Sequence, residues 1–165
     1  MDIEIIIAGC STIIALSALG ASIWQGYIQS RHHKLSALPH LTIDYDHRSS
    51  NDVAVYLKSN GLGPAKLIEY EWLFNGKRFP IGTKQDYLDL LNVMGLGDTD
   101  VEFYGPHIGG YLEPGFNCFL IRFSNSAGTE NHKNITYRLY KAGIYLKYES
   151  IYGEVRSETH MAENV

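Results

Sequence analysis

The chain has 165 residues, a formal charge of −4 and two cysteines. All of its Lys and Arg lie at or after Arg31, together with every acid except Asp2 and Glu4, so the chain beyond Ser30 carries a charge near −2. That balance excludes a field basic enough to hold duplex nucleic acid non-specifically. Cys10 and Cys118 make no disulfide framework and suit a reducing compartment.

The first element is apolar. Ile5 to Ser30 holds no Asp, Glu, Lys or Arg and is built from Ile, Leu, Ala, Gly and small hydroxyl residues. About 20 apolar residues in a helix span the hydrocarbon of a bilayer. Trp24 and Tyr27 lie near one end, where amphipathic rings prefer the headgroup layer, and Arg31, His32, His33 and Lys34 follow. A cleaved signal peptide fits poorly, because Met1 to Glu4 carries two acids and no base. The expectation is one transmembrane helix with a juxtamembrane stalk over residues 1–34. Acids before it and bases after it put the N-terminus outside and the rest of the chain in the cytoplasm.

Alternating steps of four and three along this helix pick out Glu4, Ala8, Ser11, Ala15, Ala18, Ser22, Gln25, Gln29 and His32, all small or polar. The other face carries Ile6, Ile13, Ile14, Leu16, Ile23, Trp24, Tyr27 and Ile28. Small residues let helix backbones approach closely, and polar ones hydrogen-bond between helices. The plain reading is a seam for self-association. The sharper one is a pore lining from Glu4 through Ala8, Ser11, Ala15, Ala18, Ser22 and Gln25 to Gln29, with Glu4 as an acidic ring at one mouth.

Leu35 to Pro39 reads as a linker, since Pro39 ends any helix. From His40 the apolar period changes to two. Leu41, Ile43 and Tyr45 form one strand face, and Val53, Val55 and Leu57 the next, across a turn at Arg48 to Asp52. Asn60-Gly61-Leu62-Gly63-Pro64-Ala65 reads as a sharp loop, in which the glycines allow positive φ and the proline fixes the exit. A phosphate cradle is the other reading, but no helix with Lys-Ser or Lys-Thr follows, so it is not a P-loop. In the next strand Ile68, Tyr70, Trp72 and Phe74 share one face; Asn75-Gly76 signals a type I′ hairpin, and Lys77 to Ile81 returns. Thr83 caps a helix with Asp86 at its third position, Gly95 as its stop, and Tyr87, Leu90, Leu91 and Met94 as its docking face. Gly95 to Pro114 reads as irregular, Phe116 to Phe123 as a central strand, and Ser124 to Asn134 as a polar loop. Ile135 to Ala142 fits a short helix or a strand. Ile144 to Ile151 and Glu154 to Thr159 form a hairpin around Gly153, and residues 161–165 a loose tail.

The expected fold is membrane-anchored α+β. One transmembrane helix precedes a mostly antiparallel β-sandwich over residues 40–160 with a short helical insertion. Its size allows one compact domain and not two.

None of the seven histidines falls in an HExxH pattern or a Cys/His zinc spacing, and no nucleophile elbow or paired carboxylate set stands out. No metal, cofactor or enzyme activity is expected. A binding surface is better supported. Near the last hairpin Arg138, Tyr140, Lys141, Tyr145 and Lys147 interleave aromatic rings with cations, together with Tyr137 and Tyr148. Stacking plus Lys and Arg contacts holds nucleotides and single-stranded nucleic acid. Ordinary strand chemistry is the plain alternative, since Tyr is a good β residue. A second basic zone is Arg31, Lys34, Lys77 and Arg78.

Three stretches, Leu57-x-x-Asn60-Gly61-Leu62-Gly63-Pro64-Ala65, Tyr111-Leu112-Glu113-Pro114-Gly115 and Tyr148-x-Ser150-Ile151-Tyr152-Gly153-Glu154, resemble a pattern found in small single-pass bacterial membrane proteins. The chain is similar to antiphage-defence effectors of the Hailong type. That resemblance implies an oligomeric inner-membrane protein that depolarises the cell, and a partner nucleotidyltransferase that makes a DNA oligomer to hold it shut. By layout it also resembles cyclic-oligoadenylate-gated effectors of type III CRISPR systems. The expected function is therefore a homotetrameric ion-conducting effector gated by a nucleotide or single-stranded DNA oligomer. The other reading is a non-conducting anchored adaptor that recruits a protein partner.

Overall fold

The computed structural model of the chain describes residues 3–46, 52–97, 99–124 and 129–161. Two compact units result, Met1–Ser36 and Ala37–Val165.

The first is one helix, α1 (Ile3–Ser36). It contains no Pro, and Glu4 in the first turn with His33 and Lys34 in the last complements the helix dipole. Helical backbone continues through residues 35 and 36, where the connector was expected to begin. From Ile3 to Lys34 it is long and apolar enough to cross a membrane, with a mean hydropathy of 2.0 in its most apolar stretch.

The second unit is α+β. Among its described residues the strands are β1 (Leu41–Asp46), β2 (Val53–Ser59), β3 (Ala65–Phe74), β4 (Lys77–Pro80), β5 (Val101–Phe103), β6 (Tyr111–Leu112), β7 (Asn117–Phe123), β8 (Ala142–Ser150) and β9 (Val155–Met161). All pairings are antiparallel, in one sheet of order β1-β2-β7-β5 and another of order β4-β3-β8-β9, with β6 also paired to β3. The helices are α2 (Lys84–Met94) and α3 (Thr129–Tyr140).

Local chemistry accounts for most boundaries. Asn75 and Gly76 have φ of 49° and 75°, the left-handed pair a two-residue hairpin requires. Thr83 and Asp86 close a reciprocal capping box on α2, and Gly95 ends it at φ 72°. Tyr87, Leu90, Leu91 and Met94 are the buried face of α2, and they join residues of both sheets in one core cluster. At its centre Trp72 donates its indole N–H to the Tyr70 hydroxyl. Tyr70 and Tyr87 share a hydrogen bond of 3.1 Å, and Tyr87 donates to the carbonyl of Tyr104 at 3.0 Å.

Four readings need correction. Ile68 does not share the inner face of β3. The register with β8 shifts between Leu67 and Glu69, so Ile68 sits in a bulge and Leu67 is the buried residue. Thr129 to Asn134, read as polar loop, is the first half of α3; Ile135 and Leu139, one turn apart, are its buried contacts. Gly95 to Pro114 is not wholly irregular, since it contains β5 and β6. Met161, assigned to the tail, is the last residue of β9. The turn at residues 48–51 and the tail at 162–165 lie outside the described residues.

Candidate functional site

The small and polar stripe of α1 is exposed from Glu4 to His32, as is the apolar face behind it. Ser11 and Ser22 donate to the carbonyls of Ile7 and Ala18, at 2.9 and 2.8 Å, and Thr12 and Ser17 bond back one turn in the same way. Their hydroxyl donors are therefore satisfied inside the helix, as an apolar solvent demands. The carboxamides of Gln25 and Gln29 make no such bond among the described residues. A stripe of period 3.5 drifts by about 20° per heptad on a straight helix, so keeping it on one axis requires a left-handed supercoil.

The five residues expected to hold a ligand fall into two sets. Arg138 and Tyr140 are in the last turn of α3, and Lys141 follows it. The Lys141 ammonium lies 4.4 Å from the centroid of the Tyr137 ring and, by hydrogen bond and charge, holds that phenol below its ordinary range. Tyr140 stacks on Tyr45, centroids 6.3 Å apart, and Arg138 Nε is buried without a hydrogen bond. Tyr145 and Lys147 instead lie on the outer face of β8. Lys147 pairs with Glu69 at 2.7 Å, which raises its pKa, and Arg78 sits 4.9 Å from the Tyr145 ring while pairing with Glu71 at 3.1 Å. Arg78 thus comes from the second basic zone to the same face as Tyr145. Phosphate reaching Lys147 or Arg78 would have to displace a carboxylate from each.

A groove of about 480 Å³ was not legible in the sequence. Thr83, Lys84, Tyr87, Phe103, His107 and Ile108 are among the residues that line it. They come from α2, β5 and the segment after β5, so no local motif joins them. Tyr87 and Phe103 stack with centroids 5.0 Å apart, and the Lys84 ammonium lies 5.8 Å from the Phe103 ring. The N-terminus of α2 is already occupied. Asp86 accepts from Gly82 N and Thr83 N at 2.9 and 2.7 Å, and these bonds hold its carboxyl below the usual range.

The three sequence stretches singled out above meet where the chain enters the second unit. The carbonyl of His40 accepts from Asn60 N at 2.8 Å and Gly61 N at 3.3 Å. Neither Gly61 nor Gly63 uses the positive φ that glycine allows. They are needed for space: a Cβ on Gly61 would overlap the backbone of Leu38 to His40, and one on Gly63 the backbone of Ala37. The backbone of Ser59 donates from N to Phe116 O at 2.8 Å and accepts at O from Gly115 N at 2.9 Å. Ala65 pairs with both Leu112 and Ser150.

Beside this junction, the buried Tyr148 hydroxyl donates to Glu158 at 2.6 Å and accepts from the backbone of Leu41. Burial, followed by the Glu158 bond, pushes its pKa up to about 12. Glu158 also faces His160 at 3.4 Å and His40 at 3.9 Å. Burial lowers the His160 pKa, with Glu158 opposing and His40 adding to the shift. Among the described residues no group of three His, Cys, Asp or Glu could hold a metal ion.

No family model and no curated protein matches the chain. Among solved structures it is similar to a chain of the archaeal flagellum of Methanospirillum hungatei strain JF1. The identity is 13%, the match covers 98% of this chain and 89% of that one, and the TM-score is 0.32. A likeness that distant carries no argument about fold or function.

Proposed function

We propose that this chain is an oligomeric effector of the bacterial inner membrane, anchored by α1 with its N-terminus outside and residues 37–165 in the cytoplasm. Copies associate through the stripe, as a homotetramer, and form an ion-conducting pore. The cytoplasmic unit, its two sheets packed as a sandwich, binds a nucleotide or single-stranded DNA oligomer that sets the state of the pore. The observation that carries this reading is α1. It is a helix of 34 residues, exposed from Ile3 to Lys34, with one face small or polar from Glu4 to His32. A lone helix in lipid has no use for Gln25 and Gln29, whereas helices sharing an axis can pair them. The resemblance to Hailong-type effectors supports the defence role and a partner nucleotidyltransferase as the source of the oligomer.

Purified full-length protein in planar bilayers should conduct, and added DNA oligomer should change its open probability. Oligomer binding should weaken steeply with salt, and Lys141→Ala with Lys147→Ala should weaken it further. An oligomer that never conducts would instead fit the anchored adaptor, and binding unaltered in the double variant would remove those lysines from the site.

A further inference from the structure

The end of the second unit at which the chain enters carries a set of exposed apolar side chains. Leu62 is 77% exposed, Tyr111 61%, Val155 54%, Ile151 50% and Tyr152 43%. They come from four places in the sequence, and the strand register brings them together. Leu62 is in the loop just before Ala65. Tyr111 pairs with Lys66, Lys66 with Glu149, and Glu149 with Val155, which makes one row across β6, β3, β8 and β9. Ile151 and Tyr152 form the turn after Ser150, the partner of Ala65. Within the row Lys66 and Glu149 face each other at 3.9 Å, so its centre holds no net charge.

Clustered exposed apolar groups mark a surface that meets something other than water. We propose that this end of the unit rests in the interfacial layer of the lipid bilayer, with Leu62 and Ile151 entering among the headgroups and Tyr111 and Tyr152 lying at their level. The inference builds on the membrane-spanning reading of α1. The occupant follows from the tether. Ala37 to His40 run directly against Gly61 and Gly63, in the same loop as Leu62. Ala37 follows Lys34 by three residues, at about 1.5 Å each where the chain is helical. Arg31 and Lys34 are the bases that meet lipid phosphate. The apolar end is therefore the one held within reach of the headgroups. Tyrosine suits that layer, since the ring is apolar and the hydroxyl stays wet. Side chains of this kind are buried about 5–10 Å into the headgroup and acyl boundary. The opposite end of β3, at Phe74, is about 30 Å away along the strand.

The full-length protein in lipid nanodiscs provides the test. Trp is introduced singly as Leu62→Trp, Tyr152→Trp and, at the far end, Lys77→Trp. Fluorescence is compared in nanodiscs with and without lipids brominated near the carbonyl end of the acyl chain. Leu62→Trp and Tyr152→Trp should each add emission that bromine quenches, while the emission added by Lys77→Trp should be unquenched. If the emission added at residues 62 and 152 is as insensitive as that at residue 77, the proposal is overturned, whether that end faces water or another copy. Trp24 reports on the underlying reading: its emission in the parent protein is quenched if α1 spans the bilayer. Quenched Trp24 with unquenched residues 62 and 152 rejects the docking alone. Unquenched Trp24 rejects the span and the docking with it.

Discussion

Gly63 lies against the backbone of Ala37 so closely that any side chain at residue 63 would overlap it. The constraint is spatial and not conformational, because the glycine φ is not left-handed. Gly63→Ala must therefore push the entering chain away or distort the loop, an overpacking cost of about 1–3 kcal/mol. Its melting temperature should fall by several degrees. Gly105→Ala, where a Cβ meets nothing within 4 Å, should leave it unchanged. Equal melting of the two variants would show that the close approach is not rigid.

Tyr70 joins two other side chains in a buried polar chain. It receives the Trp72 indole proton and passes its own to Tyr87, whose hydroxyl ends on Tyr104 O. Tyr70→Phe keeps the ring and leaves the buried indole N–H without an acceptor. An unsatisfied buried donor costs about 1–3 kcal/mol. Denaturant unfolding should show that loss with an unchanged slope, since the exposed surface is the same.

Strand and helix boundaries set by local chemistry were legible. The Asn75-Gly76 turn, the Thr83 and Asp86 box and the Gly95 stop each depend on residues within one turn of one another. What escaped depends on pairing at a distance. The bulge at Ile68 leaves no mark, because Leu67 and Ile68 are equally apolar and only the partner strand decides which is buried. Helix α3 is rich in Asn and Thr, weak helix formers, and holds its place through Ile135 and Leu139 on the core. The groove beside α2 gathers residues from segments with no shared period. The expected ligand residues are neighbours in sequence, but helix and strand geometry send Arg138 and Tyr140 to one place and Tyr145 and Lys147 to another.

Acid should weaken the second unit through His160. Its folded pKa is lowered, chiefly by burial, from an ordinary value of 6.5. Above that value both folded and unfolded forms are neutral, and the contribution to stability is fully present. As pH falls below it the unfolded chain takes the proton first, so stability is lost until the folded pKa is passed. Melting temperature should hold from pH 8 to pH 7 and drop as the pH falls below 6.5. The drop should be smaller in His160→Gln. Glu158 faces the imidazole, and His40 faces Glu158 from its other side.

On α1, Ala15→Leu combined with Ala18→Leu fills the stripe at its centre. Chemical cross-linking in membranes should show a lower oligomer, or bilayer recordings a closed pore. Leu16→Ala, on the opposite face, should change neither. An oligomer and conductance unaffected by the double variant would place the interface elsewhere.

Glu4 should set the sign of ion selectivity. Symmetry would repeat it as a carboxylate ring, which concentrates cations and repels anions. The lining below it, Ser11, Ser22, Gln25 and Gln29, has no charge to oppose the preference. Reversal potentials in asymmetric KCl should favour K⁺ in the parent protein and move towards zero in Glu4→Gln. A parent without cation preference, or a variant that keeps it, would count against the ring.

Strand β9 pairs with β8 and, among the described residues, with no strand on its other side. Copies gathered by their membrane helices would bring such edges to high local concentration, which is how sheets fuse into fibres. Arg156, Glu158 and His160 lie opposite Tyr148, Leu146 and Ile144, so the edge carries polar groups and not grease on its inner side. A foreign strand seated there would have to desolvate three ionisable groups. Replacing those three residues together with apolar ones should make the protein prone to aggregate, which light scattering would read.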